Sequence, residues 1–463
     1  TVTFLFSQTP KGVTTRYKMP SRKLTYKHTI FACYAGYMVQ ALIVNYVPLL
    51  YVTFESEFGA SLQTLTLLTT VCFGVQILTD FVASKLVDKI GYRVSVIAAH
   101  VFCTLGLCSL SFLPNLIHPT AGLIVSACLY AMGGGLIEVV ISPLVEACPT
   151  KKKASSMGLL HSFYCWGSVF VILVSTLLFN LVGISQWRAI ACVWAILPAA
   201  NAVLFCFVPL YSLPKSETEE APSFRSLAKN RKFWVLFVLM FCAGATEVAV
   251  AQWASAFAED GLGVSKTLGD LAGPMAFAVL MGICRIFYAK SLNKISLEKF
   301  LVIGAVGCIG AYLLIALPPL PVLNLIGCAV CGLFVGILWP GTFSSAAKAL
   351  PYGGTTLFAL LALAGDLGCT AGPTLVGFVS GMFGDNLQVG LLMAIVFPIL
   401  ALLTALLLLK RKKASGMNNR YFRQIIFYLT SFVFSDRLIR PQPFDCVKTS
   451  RRLLADGRFI SLP

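Results

Sequence analysis

The sequence predicts an all-α membrane protein of twelve transmembrane helices in two pseudo-symmetric six-helix bundles. Three observations predict it. Hydrophobic residues make up 57% of the 463 residues and charged residues only 12%. With a mean hydropathy of +0.83, that is more apolar surface than a soluble core can hide. Long apolar stretches recur from about Lys27 to Lys410, each near the roughly 20 residues that cross a bilayer. Nearly every Lys and Arg of that region lies on one side of these stretches. They are Lys11 to Lys27, Lys85, Lys89 and Arg93, Lys151 to Lys153, Lys215 to Lys232, Lys290, Lys294 and Lys299, Lys348, and Lys410 to Lys413. The opposite loops offer only Arg188 and Lys266 as cations. Basic loops mark the cytoplasmic face, so the expectation is a multi-pass protein of the cell membrane with both termini in the cytoplasm.

The spans follow in order from these breaks. After a tail of residues 1–26, the first six are expected at 29–53, 62–86, 94–113, 120–146, 156–183 and 188–210. The second closes at the Lys85–Arg93 loop and the fourth at Lys151–Lys153. The longest polar interruption, 211–230, reads as a cytoplasmic linker between bundles 27–210 and 231–410. The last six spans are expected at 233–257, 268–290, 299–317, 321–344, 354–382 and 387–409, the final one stopped by Lys410–Lys413. Met19-Pro-Ser-Arg-Lys reads as a natural start, with 1–18 an extension. Residues 411–463 read as a basic, disordered tail, since the apolar run Ile425 to Phe434 is too short to cross a bilayer.

The halves repeat weakly. Laying Gly134–Pro143 on Cys331–Pro340 matches Gly135 with Gly332, Leu136 with Leu333 and Pro143 with Pro340. Laying Asp88–Gly91 on Asn293–Ser296 keeps the same phase, fourth span on tenth and second on eighth. Such repeats suggest two bundles rocking about a central site.

Composition also excludes several functions. The net charge of +17 reflects short topogenic loops, not a nucleic-acid surface. The sixteen cysteines are scattered through apolar helices, where they behave as small hydrophobes. Cys328-x-x-Cys331 has metal-site spacing but no nearby His. There is no phosphate-cradling glycine loop, nucleophile triad or HExxH pattern. The reading is therefore no enzyme, no cofactor and no metal, with a small solute as partner and a monomer as the working unit.

The loop SKLVDKIGYRVS, Ser84 to Ser95, carries a small residue, Leu86, Asp88, Lys89, Gly91 and Arg93. It resembles the signature loop of the major facilitator superfamily, with Ser84 in place of the usual glycine. That resemblance covers residues 27–410 and implies the major facilitator fold. It also implies that Asp88, with Lys89, Gly91 and Arg93, latches the two bundles at the cytoplasmic face and controls opening.

Ionisable residues inside spans are functional candidates, because each costs several kcal/mol in hydrocarbon. Glu138 lies about 13 Å inside its span at 1.5 Å per residue, after Gly133–Gly135 and before Ser142-Pro143. A carboxyl group in such a dry site suits proton carriage; a structural partner to another helix is the alternative. This segment, with Leu160-His161-Ser162-Phe163, resembles the fucose permease branch of sugar:proton symporters. The chain departs from that branch in Ser142, where Asn is usual, and in the first span, which offers only Gln40 and Asn45 where an acid is usual.

In the seventh span Glu247 and Gln252 stand five residues apart, about 140° around the helix. Gln252 beside Trp253 is a pairing a sugar site can use, an amide for hydroxyls and a ring face for C–H groups. An interfacial belt role for Trp253 and a local salt bridge for Glu247 compete with this. Asp366 is near the midplane between Gly365 and Gly368. Asp80 and Arg285 occupy equivalent positions near the cytoplasmic end and suit gating pairs, although snorkelling also explains Arg285. His161 could relay protons or simply pack. Trp339-Pro340 is expected to kink the tenth span, with the ring lining the cavity. The candidate coupling or binding set is thus Glu138, Glu247, Gln252, Trp253, Asp366, His161, Asn45 and Trp339. The favoured function is proton-coupled uptake of a small polar solute, a sugar or sugar derivative, by alternating access. The alternative is a drug or metabolite exporter working by proton antiport.

Overall fold

The computed structural model describes residues 24–150, 153–211, 224–291, 296–350 and 354–412. Among the described residues, twelve helical spans are long and apolar enough to cross a membrane. They are α1 (Tyr26–Phe58), α2 (Leu62–Ile90), α3 (Tyr92–Leu116), α4 (Pro119–Ala147), α5 (Lys153–Val182) and α6 (Trp187–Phe207), then α7 (Arg231–Gly261), α8 (Lys266–Tyr288), α9 (Leu297–Ala316), α10 (Pro321–Ala349), α11 (Gly354–Met382) and α12 (Leu387–Lys410). The tails beyond Leu24 and Lys412 lie outside the described residues, as does most of the linker between α6 and α7.

Local chemistry sets the helix ends. Ser61 caps α2 by accepting from the Thr64 N–H at 3.3 Å, and Asn386 caps α12 by accepting from Gln388 and Val389. Gly91, at φ 89°, makes the sharp turn from α2 into α3, where a side chain would be strained. Proline breaks two spans. In α1, Pro48 has no N–H for the Val44 carbonyl four residues back, and a 3₁₀ turn covers Val47–Leu50. In α10 the helix interrupts at Gly336–Ile337, one turn before Pro340, as the sequence leads one to expect of a kink. Its repeat partner Pro143 sits inside an unbroken α4.

The pseudo-symmetry is visible in the packing. Within the first half α1 packs on α5, α3 on α4 and α6, and α2 on α4. Six helices later, α7 packs on α11, α9 on α10 and α12, and α8 on α10. Between the halves α2 meets α11, and α8 meets α5. The matched glycines do matched work. A Cβ on Gly135 would collide with Asp80 and the Gln76 carbonyl of α2, and one on Gly332 with the Phe277 carbonyl of α8. Small residues let spans approach this closely in a bilayer. Elsewhere large apolar side chains face outward, such as Leu181 at 78% and Val322 at 69% exposed, as lipid contact requires.

Candidate functional site

A cavity of about 610 Å³ lies between the two halves. The first half lines it with Tyr37 and Gln40 of α1, Gln76 of α2, Glu138 of α4 and His161 and Tyr164 of α5. The second half contributes Glu247 of α7, Arg285 of α8, Trp339 of α10 and Asp366 of α11. Leu159, Tyr288 and Phe343 extend the lining towards the helix ends that carry the basic loops.

Each polar group reaches the cavity for a local reason. Glu138 stands one turn beyond the Gly133–Gly135 triplet, which lets α4 sink against α3, α2 and α1. Asp366 lies between Gly365, covered by the Trp339 ring, and Gly368, pressed on the Phe241 carbonyl of α7. These contacts fix both carboxylates on facing helices, within electrostatic reach of each other. Arg285 pairs with Glu247 at 3.7 Å, a salt bridge across α7 and α8 inside the cavity. The Tyr37 hydroxyl shares a 3.1 Å hydrogen bond with Ser142 Oγ, and its ring meets His161 edge-on at 5.6 Å.

The cavity therefore gathers Glu138, Glu247, Asp366, His161 and Trp339 from the expected binding set, and Arg285 from the expected gating set. It does not gather Gln252, Trp253 or Asn45. Gln252 donates to the Val44 carbonyl at 3.1 Å and accepts from Tyr51 at 3.4 Å. Val44 is the carbonyl that Pro48 leaves without a helical partner, so Gln252 mends the break in α1 from the other half. Trp253 is fully buried, and its Nε1 donates to the Pro373 carbonyl at 3.0 Å. Asn45 ties α1 to α5 through Ser168 Oγ at 3.0 Å. The sugar-type pairing of Gln252 and Trp253 thus stands away from the cavity, in the seam that closes the halves.

That seam lies at the end opposite the basic loops. Lys266 of α8 donates to the Leu49 carbonyl of α1 at 2.5 Å. It also pairs with Asp270 at 3.2 Å and Glu259 at 3.4 Å. Asp270, fully buried, accepts from Ser255 and from Thr176 of α5 at 3.3 Å. Thr267 donates to Asn180 of α5 at 2.9 Å. Sequence reasoning took Lys266 for a loop cation and passed over Asp270, although an Asp one turn after a Lys inside a span is a readable signal. It also passed over Gln76 and the tyrosines of the lining.

Of the expected gate residues, the side chain of Asp88 lies outside the described residues. Lys89 is exposed at the end of α2. Arg93 donates to the carbonyls of Phe205, Cys206 and Val208 at 2.6, 2.9 and 2.9 Å. A guanidinium there satisfies the free carbonyls of the α6 C-terminus. Asp80 sits behind Gly135 with Oδ1 buried and unpartnered. Among the described residues no group of three or more His, Cys, Asp or Glu could hold a metal.

Twelve spans, two repeated halves and a cavity between them that carries ionisable side chains give the chain the architecture of a membrane transporter. The Major Facilitator Superfamily pattern matches residues 30–373, and the chain belongs to that superfamily of transporters. No curated protein matches the sequence. Among solved structures, a point variant of the E. coli fucose:proton symporter, FucP, is similar with a TM-score of 0.58 and 17% identity, over 83% of this chain and 99% of that one. A second FucP structure, in the outward conformation, is similar with a TM-score of 0.57 and 16% identity, over 83% and 99%. At such identity the likeness shows a shared fold.

Proposed function

We propose that this transporter moves a small polar solute, a sugar or sugar derivative, across the cell membrane by proton-coupled alternating access. The observation that carries the reading is the pair of half-buried carboxylates, Glu138 and Asp366, contributed to one cavity by opposite halves. An ionisable residue inside a span is costly in hydrocarbon and marks a proton or solute pathway, so a proton carried by this pair would link solute binding to the proton gradient. The fold shared with a fucose:proton symporter supports the choice of solute.

Residues 27–210 and 231–410 are the moving bodies, and the basic loops face the cytoplasm. With the seam at Lys266 and Asp270 closed and the lining running toward the basic loops, the state described is the inward-facing one. Asp88, Lys89, Gly91 and Arg93 guard the inner end and form their latch when the cavity turns outward. The working unit is a monomer.

Proton antiport of an exported compound is the second reading. It is favoured by the cavity wall, which is richer in rings and acids (Tyr37, Phe73, Tyr164, Tyr288, Trp339, Phe343, Glu138, Glu247, Asp366) than in amides and hydroxyls.

One experiment separates the two. Weakly buffered, anaerobic cells expressing the protein are pulsed with one solute at a time while external pH is followed. Alkalinisation by a sugar, absent from a Glu138→Gln control, is the expected result for symport. Acidification would mean exchange against protons. A flat trace from solutes that demonstrably enter the cells through the protein would remove proton coupling altogether.

A further inference from the structure

The charges around the cavity do not balance. Arg285 is already engaged by Glu247 at 3.7 Å. His161, the other basic side chain in the lining, meets the Tyr37 ring edge-on. Glu138 and Asp366 remain without a basic partner among the described residues, and the Asp80 carboxylate lies behind them within electrostatic reach of both. Two aromatic rings stand at this acidic end. Tyr37, held by Ser142, is in reach of both carboxylates. The outer edge of the Trp339 ring presses on Gly365, so that a Cβ there would strike it, and the indole lines the same cavity as Asp366.

A separate observation marks the same wall as a ligand site. Gln40 lines the cavity and is only 7% exposed, yet its Oε1 has no hydrogen-bond partner. It lies over Gly134, one turn before Glu138. A buried acceptor left open on the cavity wall is satisfied by a ligand that donates an N–H or O–H group.

We propose that the cavity recognises a solute bearing a cationic nitrogen, seated between Glu138 and Asp366 and against the rings of Tyr37 and Trp339. Carboxylate and aromatic face together are the usual means of holding an organic ammonium group. The paired Arg285–Glu247 end offers no net charge and receives the neutral, hydroxyl-bearing remainder. This rests on the reading of the cavity as the transport site, and narrows the sugar derivative to an amino-bearing one.

The test uses the full chain purified in detergent and reads the thermal unfolding midpoint against increasing glucose, N-acetylglucosamine, glucosamine or choline. A ligand that binds only the folded state raises that midpoint. Glucosamine and choline are expected to act at concentrations at least about tenfold lower than the two neutral sugars, equivalent to about 1.4 kcal/mol. The double variant Glu138→Gln, Asp366→Asn should lose that preference. If it does not fold, Trp339→Leu serves instead, with the same loss expected. Equal or better stabilisation by a neutral sugar overturns the cationic nitrogen but leaves the cavity as transport site. A cationic shift that survives the variants places binding elsewhere and overturns the proposal, as does the absence of a shift with all four probes.

Discussion

At the scale of single residues, the two halves of the cavity carry different kinds of charge. Glu138 and Asp366 are held by helix packing alone, so neutral replacement leaves their surroundings in place. Glu138→Gln is therefore expected to abolish proton-driven accumulation while permitting exchange of solute down its gradient, measured by uptake and counterflow in the same vesicles. Full concentrative uptake by that variant would refute its role. Glu247 is different, because the half-buried Arg285 pairs with it. Glu247→Gln strands a guanidinium whose Nε is already unpartnered, and should cost up to about 3 kcal/mol. Thermal unfolding of the purified protein should show the loss, and a Glu247→Gln, Arg285→Met double variant should recover most of it. The acids were legible because an ionisable residue in an apolar run is conspicuous. That Trp253 and Gln252 lie outside the cavity lining was not legible, since one helix in isolation does not reveal which face meets the cavity and which meets the other half.

The element scale shows why. Spans and their order followed from hydropathy and the basic loops, and the Gly135–Gly332 match foretold equivalent helix contacts. The sequence offered no way to see that the break in α1 at Pro48 would be mended from α7. Replacing Gln252 by Leu leaves the Val44 carbonyl buried without a donor, a cost of about 1–3 kcal/mol. That cost falls only on the closed seam, so the variant should favour the open one and show faster hydrogen exchange around Val47–Leu50. The α7–α11 contact is stricter. A Cβ at Gly368 would overlap the Phe241 carbonyl, and backbone does not yield as a flexible side chain does. Gly368→Val is expected to prevent stable folding, seen as loss of monodisperse protein on size-exclusion chromatography. Gly74, with open space around the position of a Cβ, should accept Ala in the same assay.

For the whole molecule, the central claim is that the cavity is exposed to one side at a time as the halves rock. Seam groups from both halves hold the end opposite the basic loops, with Lys266 joining the Leu49 carbonyl to Asp270. Lys266→Met removes the cation and leaves Asp270 buried beside Thr176 and Ser255 without it, so that end should open more readily. The repeat raises the expectation of such motion, while the state of the seam depends on contacts between distant helices that no local pattern encodes. The most direct measurement is the distance between spin labels at Glu55 of the first half and Asp385 of the second, in a cysteine-free background with and without transported solute. Both positions are exposed and lie within electrostatic reach of each other at the seam. A short distance is expected in the resting protein, with a second, longer population that grows when solute or Lys266→Met is introduced. A single short distance unchanged by solute, in protein that still transports, would contradict alternating exposure of this cavity.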